Sequence, residues 1–230
     1  MTWILENLAS DLAEFKNVSL DHITKLLCEE RNLTSYFDKY FGGAHITEKT
    51  RLLYSQWVRE TDYYLFMLAK WHLDNKDSML SCGNSVPERR GLNCLDFGAG
   101  IGTRSLFYTM KKWNVTLCDV NRSCIEFSKF RYKKHGLKAE FIENVDHVNY
   151  FNQILLVDTI GHLEKPKETL KNLITAMKNG GIMEITWDLF EFPMRDHLWG
   201  KNREEEFKYF LHETGLRKIG LGDRYWKKTF

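Results

Sequence analysis

The sequence predicts an α/β chain: a seven-stranded, mostly parallel sheet with a closing antiparallel hairpin, helices on both faces and a helical cap at the N-terminus. Three observations carry this expectation. From Asn93 onward, short apolar runs alternate with helix-length segments, the pattern of right-handed crossovers that feed a parallel sheet. The first of those runs leads into "FGAGIG", which places three of the chain's 15 glycines at alternate positions. Before residue 80 the apolar residues keep helical spacing instead.

The elements follow in order. Trp3, Ile4, Leu8, Leu12 and Phe15 recur at helical spacing, as do Ile23, Leu26 and Leu27, with Ser19 and Asp21 as candidate caps. "FGGAH" at Phe41 to His45 separates these from a longer helix whose apolar face is Leu53, Trp57, Tyr64, Leu68 and Trp71. "DNKDSMLSCGNSVPERRG" is polar, with Gly and Pro, and reads as a linker between a helical cap, residues 1–80, and a core, residues 81–230. The core strands are "CLDF", "VTLCDV", "AEFIEN", "QILLVD" and "GIMEITW"; runs such as "QILLV" suit strands buried on both sides. The helices between them are "TRSLFYTMKKW", "RSCIEFSKFRYKKHG" and "PKETLKNLITAMKNG". The helix "NREEEFKYFLHETG" is then followed by "LRKIGL" and "RYWKKTF", joined by "GDR" as a hairpin.

Composition narrows the function. Lys+Arg 33 against Asp+Glu 31 leaves a net charge of +2, too small to recruit nucleic acid or an anionic membrane through a strong field. The 5 cysteines form no C-x-x-C pair, which argues against a disulfide framework and a structural zinc site. No signal-peptide pattern or membrane-length apolar stretch is present, so the expected setting is reducing and cytoplasmic.

A glycine-rich turn between a strand and a helix lets a ligand approach bare backbone and use the free N–H groups at the helix start. Such a crevice, beyond the carboxyl ends of the strands, is where open α/β sheets bind ligands. The spacing is D-x-G-x-G-x-G from Asp96 to Gly102, and Thr103 stands where a dinucleotide fingerprint needs Gly or Ala. Asp119 closes the second strand, where a carboxylate can accept the hydroxyls of a ribose.

On these residues the region from Asn93 to Phe230 resembles the class I S-adenosylmethionine-dependent methyltransferases, whose fold is Rossmann-like. The resemblance implies S-adenosyl-L-methionine as cofactor, with Asp96 near its amino-acid part and Phe97 among its contacts. It implies Gly98, Ala99, Gly100 and Gly102 around its ribose and methionine portions, and Asp119 on the ribose hydroxyls with Val120 beside the adenine. Asn144 and Val145, after the third strand, take the place of the family's adenine contact. Asp158 and Thr159, after the fourth, fall near the transferred methyl, and His162 matches a loop histidine. Gly161 precedes it where the family often has glutamate.

Methyl transfer from a sulfonium is an in-line displacement, so alignment is the protein's main task. A base is needed when the acceptor must lose a proton, and His162 is the candidate. The longer helix before the core is expected to fold over the crevice as a lid; Tyr54 and Trp57 on it and Arg195 in "FEFPMRDHLWGKN" are the candidate substrate contacts, Arg195 as a partner for an acceptor carboxylate. Asp188 and Glu191 read as solvated acids, so no metal is expected. The reading is methylation of an oxygen or nitrogen of a small molecule or peptide. The alternatives are a protein- or nucleic-acid-directed enzyme, or an inactive methyltransferase-like binding subunit.

Overall fold

The computed structural model describes residues 1–28, 58–187, 189, 198–220 and 222–229. Seven strands form one sheet: β1 Asn93–Phe97, β2 Asn114–Cys118, β3 Glu140–Ile142, β4 Phe151–Leu156, β5 Met177–Ile185, β6 Leu216–Ile219 and β7 Tyr225–Lys228. The order is β3-β2-β1-β4-β5-β7-β6. β7 alone runs against its neighbours, inserted between β5 and β6 as the return arm of the expected hairpin. β1 has β2 on one side and β4 on the other, so the sheet's direction of winding reverses beside it.

Alternation along the strands divides the core between two faces. Cys94, Val115, Leu117 and Leu155 face one side. Leu95, Cys118, Ile154, Leu156, Met183 and Ile185 face the other. The first face is covered by α1 Trp3–Glu6, α2 Leu8–Lys16, α3 Leu20–Cys28, α4 Tyr63–Asp74, α5 Lys76–Ser85, α6 Thr103–Met110 and α7 Arg122–Lys134. α8 Pro166–Ala176 and α9 Glu204–Glu213 cover the second. The N-terminal helices thus share one core with the sheet: Ile4, Leu8, Leu12 and Ile23 are fully buried with Phe127 and Leu106.

Two expectations about elements are corrected. The polar stretch read as a linker contains α5, which buries Met79 and Gly83. Its glycine is a packing contact: a Cβ on Gly83 would lie 2.7 Å from the Phe107 ring. The helix read as running to Gly180 stops at Ala176, because Met177 already pairs with Phe151 at the start of β5. The next pair is Gln153 with Ile182, so residues 178–181 bulge out of register.

Candidate functional site

At the end of β1 the chain turns across the tip of β2, with the Gly98 and Ala99 N–H groups both donating to the Cys118 carbonyl at 2.8 and 3.2 Å. Gly98, Gly100 and Gly102 all take left-handed φ, +75°, +51° and +70°. The bare backbone expected to admit a ligand is approached by the chain's own side chains. A Cβ on Gly98 would lie 2.3 Å from Thr159 Oγ1, one on Gly100 2.6 Å from Leu68 Cδ1, and one on Gly102 2.8 Å from Ser128 Oγ. Conformation and internal packing therefore already account for the three glycines.

The loop is gripped by α7. Asn121 caps that helix, its side chain accepting from the Cys124 N–H at 2.8 Å. One helical turn further on, the Ser128 hydroxyl donates to the Gly100 carbonyl at 3.1 Å. Arg131, fully buried, donates to the Ile101 carbonyl at 3.0 Å, Thr103 Oγ1 at 3.1 Å and the Ile4 carbonyl at 2.7 Å. Burial lowers its pKa to about 10, while the adjacent buried Asp11 pulls the other way. Lys134 at 3.0 Å and His135 at 2.9 Å complete the shell around Asp11. The sequence pattern had placed this helix but not its role. The available signal was two polar residues, Ser128 and Arg131, on the same buried stripe as Cys124 and Phe127.

Two carboxylates lie beside the loop. Asp119, one residue past β2, accepts the Gly100 N–H at 2.7 Å through Oδ2 and the Asn121 N–H at 2.7 Å through Oδ1. Burial raises its pKa; the backbone N–H groups of Asn121, Gly100 and Val120, and the nearby His162, oppose the rise. Val120 is exposed. Asp96, in β1, is 3% exposed and accepts the Ser105 hydroxyl at 2.5 Å through Oδ2. Burial lifts it to about 6, against Ser105 and Arg104, which favour the carboxylate. Arg104 itself pairs with Glu184 of β5 at 2.7 Å, on a carboxylate that Arg224 also contacts.

The tip of β4 supplies the rest. Asp158 is exposed and has φ +50°, a conformation that Asp tolerates better than most residues, and its N–H donates to Thr186 Oγ1 at 2.7 Å. The Thr159 hydroxyl lies 2.9 Å from the Val157 carbonyl and 3.3 Å from that of Phe97, linking the two strand tips. His162 closes a short 3₁₀ turn, Ile160–His162, with its ring edge-on to Tyr64 at 5.9 Å between centroids. Leu68 reaches Gly100, and His72 Nδ1 is 3.0 Å from Thr103 Oγ1. Tyr64, Leu68 and His72 are spaced i, i+4, i+8, so a single face of α4 covers the loop tips. The face expected to carry Trp71 differs, for Trp71 is 46% exposed.

Asn144 is exposed and Val145 half-buried beyond β3; the Cys118–Ile142 pairing brings that strand end level with Asp119. Asp96, Phe97, Gly98, Ala99, Gly100, Gly102, Asp119, Asp158, Thr159 and His162 thus gather at one end of the sheet. Tyr54, Trp57, Arg195, Asp188 and Glu191 lie outside the described residues. Among the described residues no cluster of three or more His, Cys, Asp or Glu side chains is placed to hold a metal ion.

A family profile described as a methyltransferase domain matches residues 56–219. Among curated proteins the chain is 26% identical over 99 residues to the ubiquinone biosynthesis O-methyltransferase of Rickettsia prowazekii, covering 41% of this chain and 39% of that enzyme. The match therefore spans well under two thirds of the relative's length. Among solved structures, the YcgJ protein from Bacillus subtilis aligns with TM-score 0.55 at 14% identity, over 64% of this chain and 71% of that one. A phosphoethanolamine N-methyltransferase from Haemonchus contortus aligns with TM-score 0.53 at 18% identity, over 63% and 38%. The chain belongs to the methyltransferase-domain family, as the glycine loop and Asp119 had implied.

Proposed function

We propose that this methyltransferase-domain protein transfers a methyl group from S-adenosyl-L-methionine to an oxygen or nitrogen of a small molecule or peptide. The observation that carries the reading is Asp119: a carboxylate at the tip of β2, bonded to the glycine loop of β1 and close to His162, where the sheet's winding reverses. Two relatives support the chemistry by name, one an O-methyltransferase, the other an N-methyltransferase solved with S-adenosylhomocysteine.

The residues present fit such a cofactor. A carboxylate has about four acceptor sites, and the Gly100 and Asn121 N–H groups take one on each oxygen, which leaves capacity for the ribose hydroxyls. Asp96, half-way up in pKa and buried, would ionise against an amino-acid ammonium. Phe97, Ala99 and Val120 offer apolar surface to the nucleoside, with Asn144 and Val145 on the adenine side. The bound cofactor supplies an electrophilic methyl on a sulfonium. Asp158 and Thr159 border the cofactor's methionine end and the transferred methyl, and His162 takes the acceptor's proton where one must leave. Tyr64 holds the His162 ring and forms a wall of the acceptor space. Tyr54, Trp57 and Arg195 are proposed as acceptor contacts on the sequence alone. The division into a cap, residues 1–80, and a catalytic core, residues 81–230, is proposed as a functional one, since α5 crosses it and the N-terminal helices share the sheet's core. All five cysteines are free thiols, which fits a cytoplasmic setting. Among the described residues no helix is long and apolar enough to cross a membrane.

Calorimetry with S-adenosylhomocysteine tests the cofactor, and transfer of labelled methyl to candidate phenols and amines tests the reaction. Failure of S-adenosylhomocysteine to bind removes the proposal. A second reading, a binding subunit without turnover, is favoured by Leu68, which lies against Gly100. It predicts cofactor binding with no transfer to any acceptor. His162→Ala separates the roles: lost turnover with unchanged cofactor affinity supports the base, and normal turnover excludes it.

A further inference from the structure

The opposite end of the sheet holds a cavity of about 270 Å³ that the methyl-transfer reading does not use. It lies at the amino ends of β1 and β4, bounded by Leu92, Tyr108, Trp113, Asn152 and Gln153, with Arg89 at its rim. Its origin is the register shift of β5. Gln153 pairs with Ile182 while Phe151 pairs with Met177, and the bulged residues Asn179, Gly180 and Gly181 form the far wall. Gly180 takes φ +77°, and a Cβ on Gly181 would lie 2.8 Å from the Lys178 carbonyl oxygen, so the bulge depends on both glycines.

The polar groups inside are the unusual part. Tyr108 is 6% exposed and Gln153 8%, yet neither side chain has a hydrogen-bond partner among the described residues. Neither is sealed from solvent, so phenol and amide open into the cavity. Both side chains line the same space with their hydrogen-bonding capacity uncommitted to other protein groups among the described residues, so a single molecule entering it can bond both. Burial keeps the Tyr108 phenol protonated, hence a donor. Asn152 Oδ1 already accepts the Asn93 N–H at 3.0 Å, which leaves its NH₂ to donate.

The lining is therefore rich in donors. The Arg89 guanidinium has no partner among the described residues, and the Arg89 N–H donates to the Lys111 carbonyl in a turn that also carries Lys112. Glu88 is the acid next in sequence, and it is exposed. Glu184, which lies near enough to act on Tyr108, is neutralised by Arg104 and Arg224. Trp113 contributes hydrocarbon, since its indole N–H donates to the Pro87 carbonyl at 2.9 Å; its ring meets Tyr108 edge-on at 5.4 Å. The volume falls just below the usual range of small-molecule sites, about 300–1,000 Å³.

We propose that this cavity is a second ligand site, binding a small organic carboxylate with a planar or branched hydrocarbon body. The carboxylate meets Arg89 and the donors of Tyr108 and Gln153, and the body lies against Trp113 and Leu92. The proposal is independent of the methyl-transfer reading.

The test is an NMR titration of the full chain with benzoate as probe and benzylamine as its cationic counterpart. Benzoate should move the Trp113 indole and Gln153 side-chain amide signals saturably, and benzylamine should not. Arg89→Gln, at an exposed position, should weaken benzoate about tenfold with the folded spectrum preserved, and Tyr108→Phe should weaken it by a similar factor. No saturable shift, equal response to both probes, or wild-type affinity in both variants overturns the proposal. S-adenosylhomocysteine should instead move the signals of Gly98 to Gly102, so the two sites fail separately.

Discussion

Asp119 Oδ2 accepts the Gly100 N–H at 2.7 Å, so one bond joins the tip of β2 to the middle of the glycine loop. The carboxylate proposed to hold a sugar hydroxyl also fixes the backbone over which the cofactor would lie. Asp119→Ala should weaken S-adenosylhomocysteine by about tenfold or more, since a charge-assisted acceptor and the loop's anchor are lost together. Asp119→Asn keeps an acceptor and should fall between. Calorimetry on the three proteins checks the order; equal affinities would dissociate Asp119 from the cofactor.

Leu68 gives a prediction of opposite sign. Its Cδ1 stands 2.6 Å from the place of a Cβ on Gly100, at the centre of the proposed site. Leu68→Ala should therefore raise cofactor affinity severalfold. A loss of affinity would show that Leu68 lines the bound cofactor and does not compete with it.

Two buried groups make stability depend on pH in opposite directions. Asp96 rises from 3.8 to about 6 on burial. The folded protein keeps a proton there that the unfolded chain has lost. This contribution is full below 3.8 and declines as pH rises through about 6, by about 3 kcal/mol in all. His72 falls from 6.5 to about 3, through burial and the charges of Arg131 and Arg104. Its contribution is present above 6.5 and is lost as pH falls toward 3. Urea unfolding across pH should show Asp96→Asn removing the first slope and His72→Gln the second. Variants with wild-type slopes would reassign both.

The buried pair Asp11 and Arg131 should dominate the attachment of the N-terminal helices, both side chains being 0% exposed. Asp11→Ala leaves the Arg131 charge uncompensated and should cost about 3–5 kcal/mol. Glu14→Ala, on the solvent side of the same Lys134, should cost under about 1 kcal/mol. Chemical denaturation distinguishes the two, and similar values would place the energy elsewhere.

The core strands were legible because burial on both faces leaves short apolar runs, as at Ile154 to Leu156, and the turn chemistry between them is strong. Asp96, the glycines and Asp119 were legible for the same reason: their places are set by where strands end. α5 was not legible. It buries only Met79 and Gly83, and a glycine that touches an aromatic ring looks identical in sequence to one that breaks a helix. The β5 bulge was hidden too, since "KNGG" reads as a turn whether or not the residue before it has begun to pair. Contacts between distant segments, such as Ser128 with Gly100 or Leu68 with the same loop, leave no trace in local pattern.

α4 has two occupations. Leu65 and Ala69 on it are 0% exposed within the hydrophobic core, while Tyr64, Leu68 and His72 rest on the loop tips. Swinging it away would bare oily surface to water, so holding α4 in place while a molecule enters beneath it costs less than displacing it. Deuterium uptake along α4 should then stay slow in the resting protein and change little when S-adenosylhomocysteine arrives, with the difference concentrated at the turn bearing Tyr64.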